Sequence, residues 1–231
     1  MSNKSIIVAL DTTSHKKTKK IISKLDPNKC MVKVGSVLFN AQGRPALDLV
    51  ASAGFEIFFD IKFHDIPNTV SKSIKSFQGY PIKFFTVHLG GGKTMLRASQ
   101  EAAKFINAEC IGVSLLTSLT GKEVHTVFKR SIENTVCDMF KLAGDSGCDG
   151  VVCSPLELNL ATKIIPNLIK ITPGIRSHQN NTNDQVRTLS ARDALSQGAS
   201  YLVIGRPITE AKNISQAFEE IYQSMYEQDN D

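Results

Sequence analysis

Eight short apolar runs, each followed by a longer amphipathic segment, constrain this chain more than any other feature. The runs cover residues 6–10, 30–34, 56–59, 84–89, 110–116, 150–153, 168–171 and 201–204. They are β-branched and nearly continuous rather than alternating, as expected of strands covered on both faces in a parallel sheet. Helical periodicity lies between them, at 18–25, 45–53, 68–77, 93–105, 132–143, 156–165, 191–197 and 214–226. In the first of these Ile21, Ile22 and Leu25 share one face, and Gly54, Gly144 and Gly198 stand where helix C-caps are wanted. Eight such units without a linker predict an α/β chain folded as a single (β/α)8 TIM barrel over residues 1–231, with its active site at the C-terminal ends of the strands. The competing arrangement, a doubly wound open sheet, usually has fewer strands, and its G-x-G-x-x-G fingerprint is absent.

Composition narrows the function classes. With 231 residues, 42% hydrophobic and 21% charged, the chain reads as a soluble globular protein rather than a disordered or fibrous one. A net charge of +5 mildly favours anionic ligands but is too small to argue for nucleic acid. The run His15-Lys16-Lys17-Thr18-Lys19-Lys20 reads as a solvated helix face. No apolar stretch approaches the ~18 residues of a membrane span. The first apolar run stops at Asp11, too early for the core of a secretory leader. The cysteines, Cys30, Cys110, Cys137, Cys148 and Cys153, are odd in number, irregularly spaced and without a C-x-x-C. Neither a disulfide framework nor a zinc site is expected, and a reducing cytoplasm is the expected compartment.

In an α/β barrel the residues closing each strand face the site. Here almost all of them are polar or charged. Strand one ends at Asp11. Strand two carries Lys33 and ends at Gly35. Strand three runs into Asp60-Ile61-Lys62-Phe63-His64-Asp65, and strand four ends at His88 before Gly90-Gly91-Gly92. Strands five to eight end at Thr117-Ser118, Ser154-Pro155, Thr172-Pro173-Gly174 and Gly205-Arg206. Residues two apart on a strand point the same way, so Asp60 and Lys62 are expected to face one cavity. With Lys33 and Asp65 they make a candidate array of alternating charge able to perturb pKa values. A surface salt-bridge cluster would give the same D-x-K-x-x-D pattern. Gly205-Arg206 and Pro173-Gly174-Ile175-Arg176 stand where barrels commonly hold phosphate, after strands seven and eight. The polar, asparagine-rich connection after Ile175 is long enough to serve as a lid. His125 reads as a surface residue. His88 reads as a hydrogen-bonded wall residue, since no partner lies at metal-ligand spacing.

At these positions the sequence resembles the orotidine 5′-phosphate decarboxylase family, in its shorter, mainly bacterial form. The resemblance runs through Val8-Ala9-Leu10-Asp11, Val32-Lys33-Val34-Gly35, Asp60-Ile61-Lys62-Phe63-His64-Asp65-Ile66-Pro67-Asn68-Thr69, Val87-His88, Leu116-Thr117-Ser118, Thr172-Pro173-Gly174-Ile175-Arg176, Asp184-Gln185-Val186-Arg187 and Ile204-Gly205-Arg206-Pro207-Ile208-Thr209. It implies conversion of orotidine 5′-monophosphate to UMP, with no metal and no organic cofactor, in a cytoplasmic homodimer. Carried over by motif, Lys62 donates the proton to C6. Lys33, Asp60 and Lys62 form the charged array, and the partner subunit supplies Asp65 to it and Thr69 to the ribose. Asp11 and Lys33 bind ribose hydroxyls, Thr117 contacts the pyrimidine and Pro173 lines the base pocket. Arg176, Gln185, Gly205 and Arg206 hold the phosphate. Two other functions remain open on the residues alone: a magnesium-dependent sugar-phosphate decarboxylase or aldolase on the same barrel, and a catalytically silent barrel that only binds nucleotides or a protein partner.

Overall fold

A computed structural model describes residues 4–175 and 189–225. Its eight strands are β1 (Ile6–Ala9), β2 (Cys30–Gly35), β3 (Ile57–Phe63), β4 (Ile82–His88), β5 (Glu109–Val113), β6 (Gly150–Val152), β7 (Ile169–Pro173) and β8 (Tyr201–Ile204). All are parallel, each pairs with the next, and β8 returns to pair with β1. The sheet is therefore a closed barrel, as the eight alternating units predict, with helices between successive strands.

Burial explains why the runs are nearly continuous in apolar residues. Along β1, Ile7 and Ala9 point inward and Ile6 and Val8 outward, and every one of them is buried. The inward set, with Met31, Phe58, Phe84, Ile111, Ile171 and Val203, forms a compact plug of its own. The outward set packs against the helices and includes an aromatic cluster in which Phe59 meets Phe39 at 4.9 Å and Phe77 at 4.7 Å, edge to face. Filling the barrel's lower half with side chains leaves only its upper end for a ligand.

Helix boundaries follow local chemistry more than periodicity. The first helix begins at His15 rather than near residue 18, because the Ser14 hydroxyl caps it by accepting from the Lys17 N–H. Its lysines, Lys16, Lys17, Lys19 and Lys20, are exposed, as a solvated face requires. Three α-helices were not foreseen, Ser36–Gln42, Gly121–Phe128 and the single turn Arg206–Thr209; the second starts with a capping box between Thr120 and Glu123. Gly144 is not a cap. The helix Ile132–Ser146 runs through it and stops at the left-handed Gly147. After β4, a turn of 3-10 helix at Leu89–Gly91 leads directly into the helix Gly92–Ile106.

Candidate active site

Three adjacent strands bring four charges together. The Lys33 ammonium on β2 donates to Asp11 Oδ1 at 2.9 Å and lies 3.5 Å from Asp60 Oδ2. On β3, Lys62 Nζ donates to the other oxygen, Asp60 Oδ1, at 2.8 Å. The result is an unbroken sequence of alternating charge: Asp11, Lys33, Asp60, Lys62. Side-chain exposure is 11% for Lys33 and 12% for Asp60, a depth at which an unpaired charge would be strongly unfavourable. Burial alone would raise the pKa of Asp60. The neighbouring Lys33 and Lys62 charges, with hydrogen bonds from Lys62 and Thr86, outweigh it and hold the carboxyl below its ordinary range. Gly35 makes room for this arrangement. A Cβ there would stand 2.6 Å from Lys33 Nζ, which two acids pin in place.

Lys62 reaches Asp60 by a different route from the one strand alternation suggests. Phe59 pairs with Phe85 and Phe63 with Val87, so β3 advances four residues while β4 advances two. The intervening segment is bulged, and Lys62 takes the left-handed conformation at φ 53°. For a residue with a Cβ this costs roughly 1–2 kcal/mol, and such outliers collect at functional sites. Thr86, on β4, spans the bulge. Its hydroxyl accepts from the Lys62 backbone N–H at 2.9 Å and donates to Asp60 Oδ1 at 3.0 Å. The bulge itself left no mark in the sequence.

Above the plug is a cavity of about 840 Å3, within the range of small-molecule sites. Asp11, Lys33, Asp60 and Lys62 line one side of it. Its floor is apolar, made by Ala9, Phe58, Val113, Val152 and Val203. Thr117 and Ser118 line it too, although β5 ends at Val113, four residues before Thr117 and earlier than the apolar run implied. Pro173, Gly205 and Arg206 complete the wall, with Arg206 exposed at the start of a short helix. Asp65 and Thr69 are exposed and outside this lining, and the nearer oxygen of Asp65 accepts from the Ile66 N–H. Arg176 and Gln185 lie outside the described residues. His88 ends β4 and packs against His64, ring centroids 5.3 Å apart. Burial, then the nearby His64 and Lys62, lower its pKa.

Two residues of this centre escaped sequence reasoning. Thr86 carried a weak signal, a hydroxyl in an apolar run two positions before His88. Gly35 was seen only as a strand end, and nothing in the sequence shows that its missing side chain makes space for an ammonium.

Comparison with known proteins now decides the family. The family model for orotidine 5′-phosphate decarboxylase / HUMPS matches residues 4–221. The chain belongs to this family. It is 40% identical over 213 residues to the orotidine 5′-phosphate decarboxylase of Nitrosospira multiformis, covering 91% of this chain and 89% of that one. To the enzyme of the same name from Dichelobacter nodosus it is 37% identical over 229 residues, covering 97% and 100%. The crystal structure of orotidine 5′-phosphate decarboxylase from Lactobacillus acidophilus superimposes with a TM-score of 0.85 at 33% identity, over 97% of this chain and 100% of the other. The family is thus matched along nearly the whole length, including every strand that supplies the cavity.

Proposed function

We propose that the chain, residues 1–231 acting as one catalytic domain, converts orotidine 5′-monophosphate to UMP and CO2 without a metal or organic cofactor. The observation that carries this reading is the Asp11–Lys33–Asp60–Lys62 sequence of charges along one side of the cavity, in a chain whose full-length relatives bear that enzyme's name. When the bond from C6 to the carboxylate breaks, its electron pair stays on C6, in the plane of the ring. No adjacent π-system accepts it. An ammonium fixed beside C6 favours this carbanion over the starting carboxylate, whose charge lies farther out, and so stabilises the transition state selectively. Lys62 then transfers a proton to C6 and regains one from solvent. Asp60 holds the lysine in position through its 2.8 Å ion pair.

The remaining contacts divide by substrate part. Asp11 and Lys33 bind ribose hydroxyls, Thr117 meets the pyrimidine across the cavity, and Pro173 lines the base pocket. Gly205 and Arg206, with Arg176 and Gln185, hold the phosphate. Both oxygens of Asp60 are already occupied by lysine and threonine donors, an environment suited to an ion-paired carboxylate rather than to a metal ligand. A spectrophotometric assay with orotidine 5′-monophosphate tests the reading directly. Turnover is expected, and it should be unchanged by EDTA. Turnover that disappears on chelation would instead point to a metal-using relative, and no turnover at all would overturn the reading.

The working unit in this reading is a cytoplasmic homodimer, with Asp65 and Thr69 reaching the partner's site. Support comes from the rim: Val37, Ile66, Leu116 and Leu156, all shortly after strand ends, are 44–66% exposed. No described helix is long and apolar enough to cross a membrane. Co-expressed Lys62→Ala and Asp65→Ala chains test the shared site, since half of a random mixture is heterodimer and one of its two sites is intact. Each variant alone should be nearly inactive, and the mixture should regain roughly a quarter of wild-type turnover. A mixture no more active than its components would place Asp65 in its own chain's site.

A further inference from the structure

We propose that Thr86 is a positioning residue for the reaction, setting both the backbone of Lys62 and the carboxylate of Asp60 through one hydroxyl; the inference rests on the decarboxylase reading. The argument starts from the register. Where β3 gains two residues on β4, its ladder with β4 is interrupted, and the N–H of Lys62 needs another acceptor. Thr86 Oγ1 provides it at 2.9 Å. The hydroxyl's single proton is then directed to Asp60 Oδ1 at 3.0 Å, the same oxygen that accepts from Lys62 Nζ at 2.8 Å. Three bonds close a small ring: Lys62 backbone to Thr86, Thr86 to Asp60, Asp60 to the Lys62 ammonium. Thr86 is fully buried, so water does not substitute for either contact. Its χ1 is stiff, as for any β-branched residue, which fixes the oxygen against the strand.

Two degrees of freedom matter for protonating a carbon in the plane of the ring, and this ring of bonds restrains both. One is the left-handed φ of Lys62, which determines where its side chain leaves the strand. The other is rotation of the Asp60 carboxylate, which must present one oxygen to Lys62 and the other to Lys33. Thr86 lies outside the residues that line the cavity, so it acts on substrate only through these two.

Thr86→Val keeps the shape and removes the hydroxyl, while Thr86→Ser keeps the hydroxyl. With orotidine 5′-monophosphate, the valine variant should lose on the order of a hundredfold in kcat, the effect of misplacing a reacting group by about 1 Å. Its KM and its affinity for UMP should stay within about threefold of wild type, because Thr86 touches no substrate and Lys33 keeps its shorter contact to Asp11. Serine should restore kcat to within about fivefold of wild type by restoring both hydrogen bonds. Thermal melting establishes that each variant is folded. Should valine prevent folding, Thr86→Ala removes the hydroxyl without adding bulk and carries the same expectation. A hydroxyl-free variant with nearly full kcat overturns the proposal, as does a serine variant as impaired as valine, or a KM that rises in step with the loss. Wild-type turnover separates the two levels of the argument. An inactive wild-type chain overturns the decarboxylase reading and this inference with it, whereas an active one with an unimpaired valine variant overturns only the placement of Thr86.

Discussion

Lys62→Ala is expected to abolish measurable decarboxylation, with kcat falling on the order of a hundred-thousandfold. Two contributions vanish together: electrostatic stabilisation at C6, typically about 10²–10³, and general-acid protonation, typically about 10²–10⁴. UMP carries no group that needs the ammonium, so its affinity should change by less than about tenfold, and calorimetric titration reads that directly. The contrast between lost turnover and retained product binding identifies the residue as chemical rather than structural. The variant should also fold, because alanine relieves none of the packing below the cavity and removes a side chain already 31% exposed. A variant retaining a tenth of wild-type kcat would eliminate Lys62 as the proton donor.

Arg206→Ala is expected to lower kcat/KM by two to four orders of magnitude although the guanidinium touches no reacting atom. Arg206 and the charge array line the same cavity, but Arg206 follows β8 whereas Lys62 belongs to β3. In the proposed reading, phosphate binding contributes at a distance, by anchoring the substrate so that C6 stays beside the ammonium. A charge-assisted bidentate contact is worth several kcal/mol when desolvated, hence the expected size. Steady-state kinetics should show the loss in kcat/KM, and a loss of tenfold or less would sink the phosphate assignment. Added phosphite dianion should partly restore turnover of a substrate lacking its own phosphate in wild type, and fail to do so in the variant.

Much of this was legible in the residues because a barrel writes its topology into composition. Strands buried on both faces are apolar at most positions, and all eight runs of the sequence became strands. The charges at strand ends were legible for the complementary reason. Lys33 and Asp60 stand out because ionised groups are rare in such an environment unless the fold brings them a partner. Less visible was anything decided by register between neighbours. Alternation placed Asp60 and Lys62 on the same side correctly in outcome, but a two-residue bulge and a left-handed backbone produce their contact. Thr86 depends on that bulge and could not be assigned before it was seen. Apolar continuation beyond Val113 extended the fifth strand too far, since Leu115 packs in the core from a loop. The helices Ser36–Gln42 and Gly121–Phe128 were missed because each is short and begins at a glycine or a cap rather than at an apolar repeat.

All four charges of the array come from the first three strands, whereas Thr117, Pro173 and Arg206 follow or end strands five, seven and eight. The array and the proposed phosphate contact thus stand on different strands of one closed wall, with β8 hydrogen-bonded back to β1. The loops after strands five and seven carry none of the four charges, so they can vary in sequence without removing an ion pair of the array. A scaffold divided in this way acquires new substrates by changing half its rim, and it keeps a ready-made set of opposed charges while it does so.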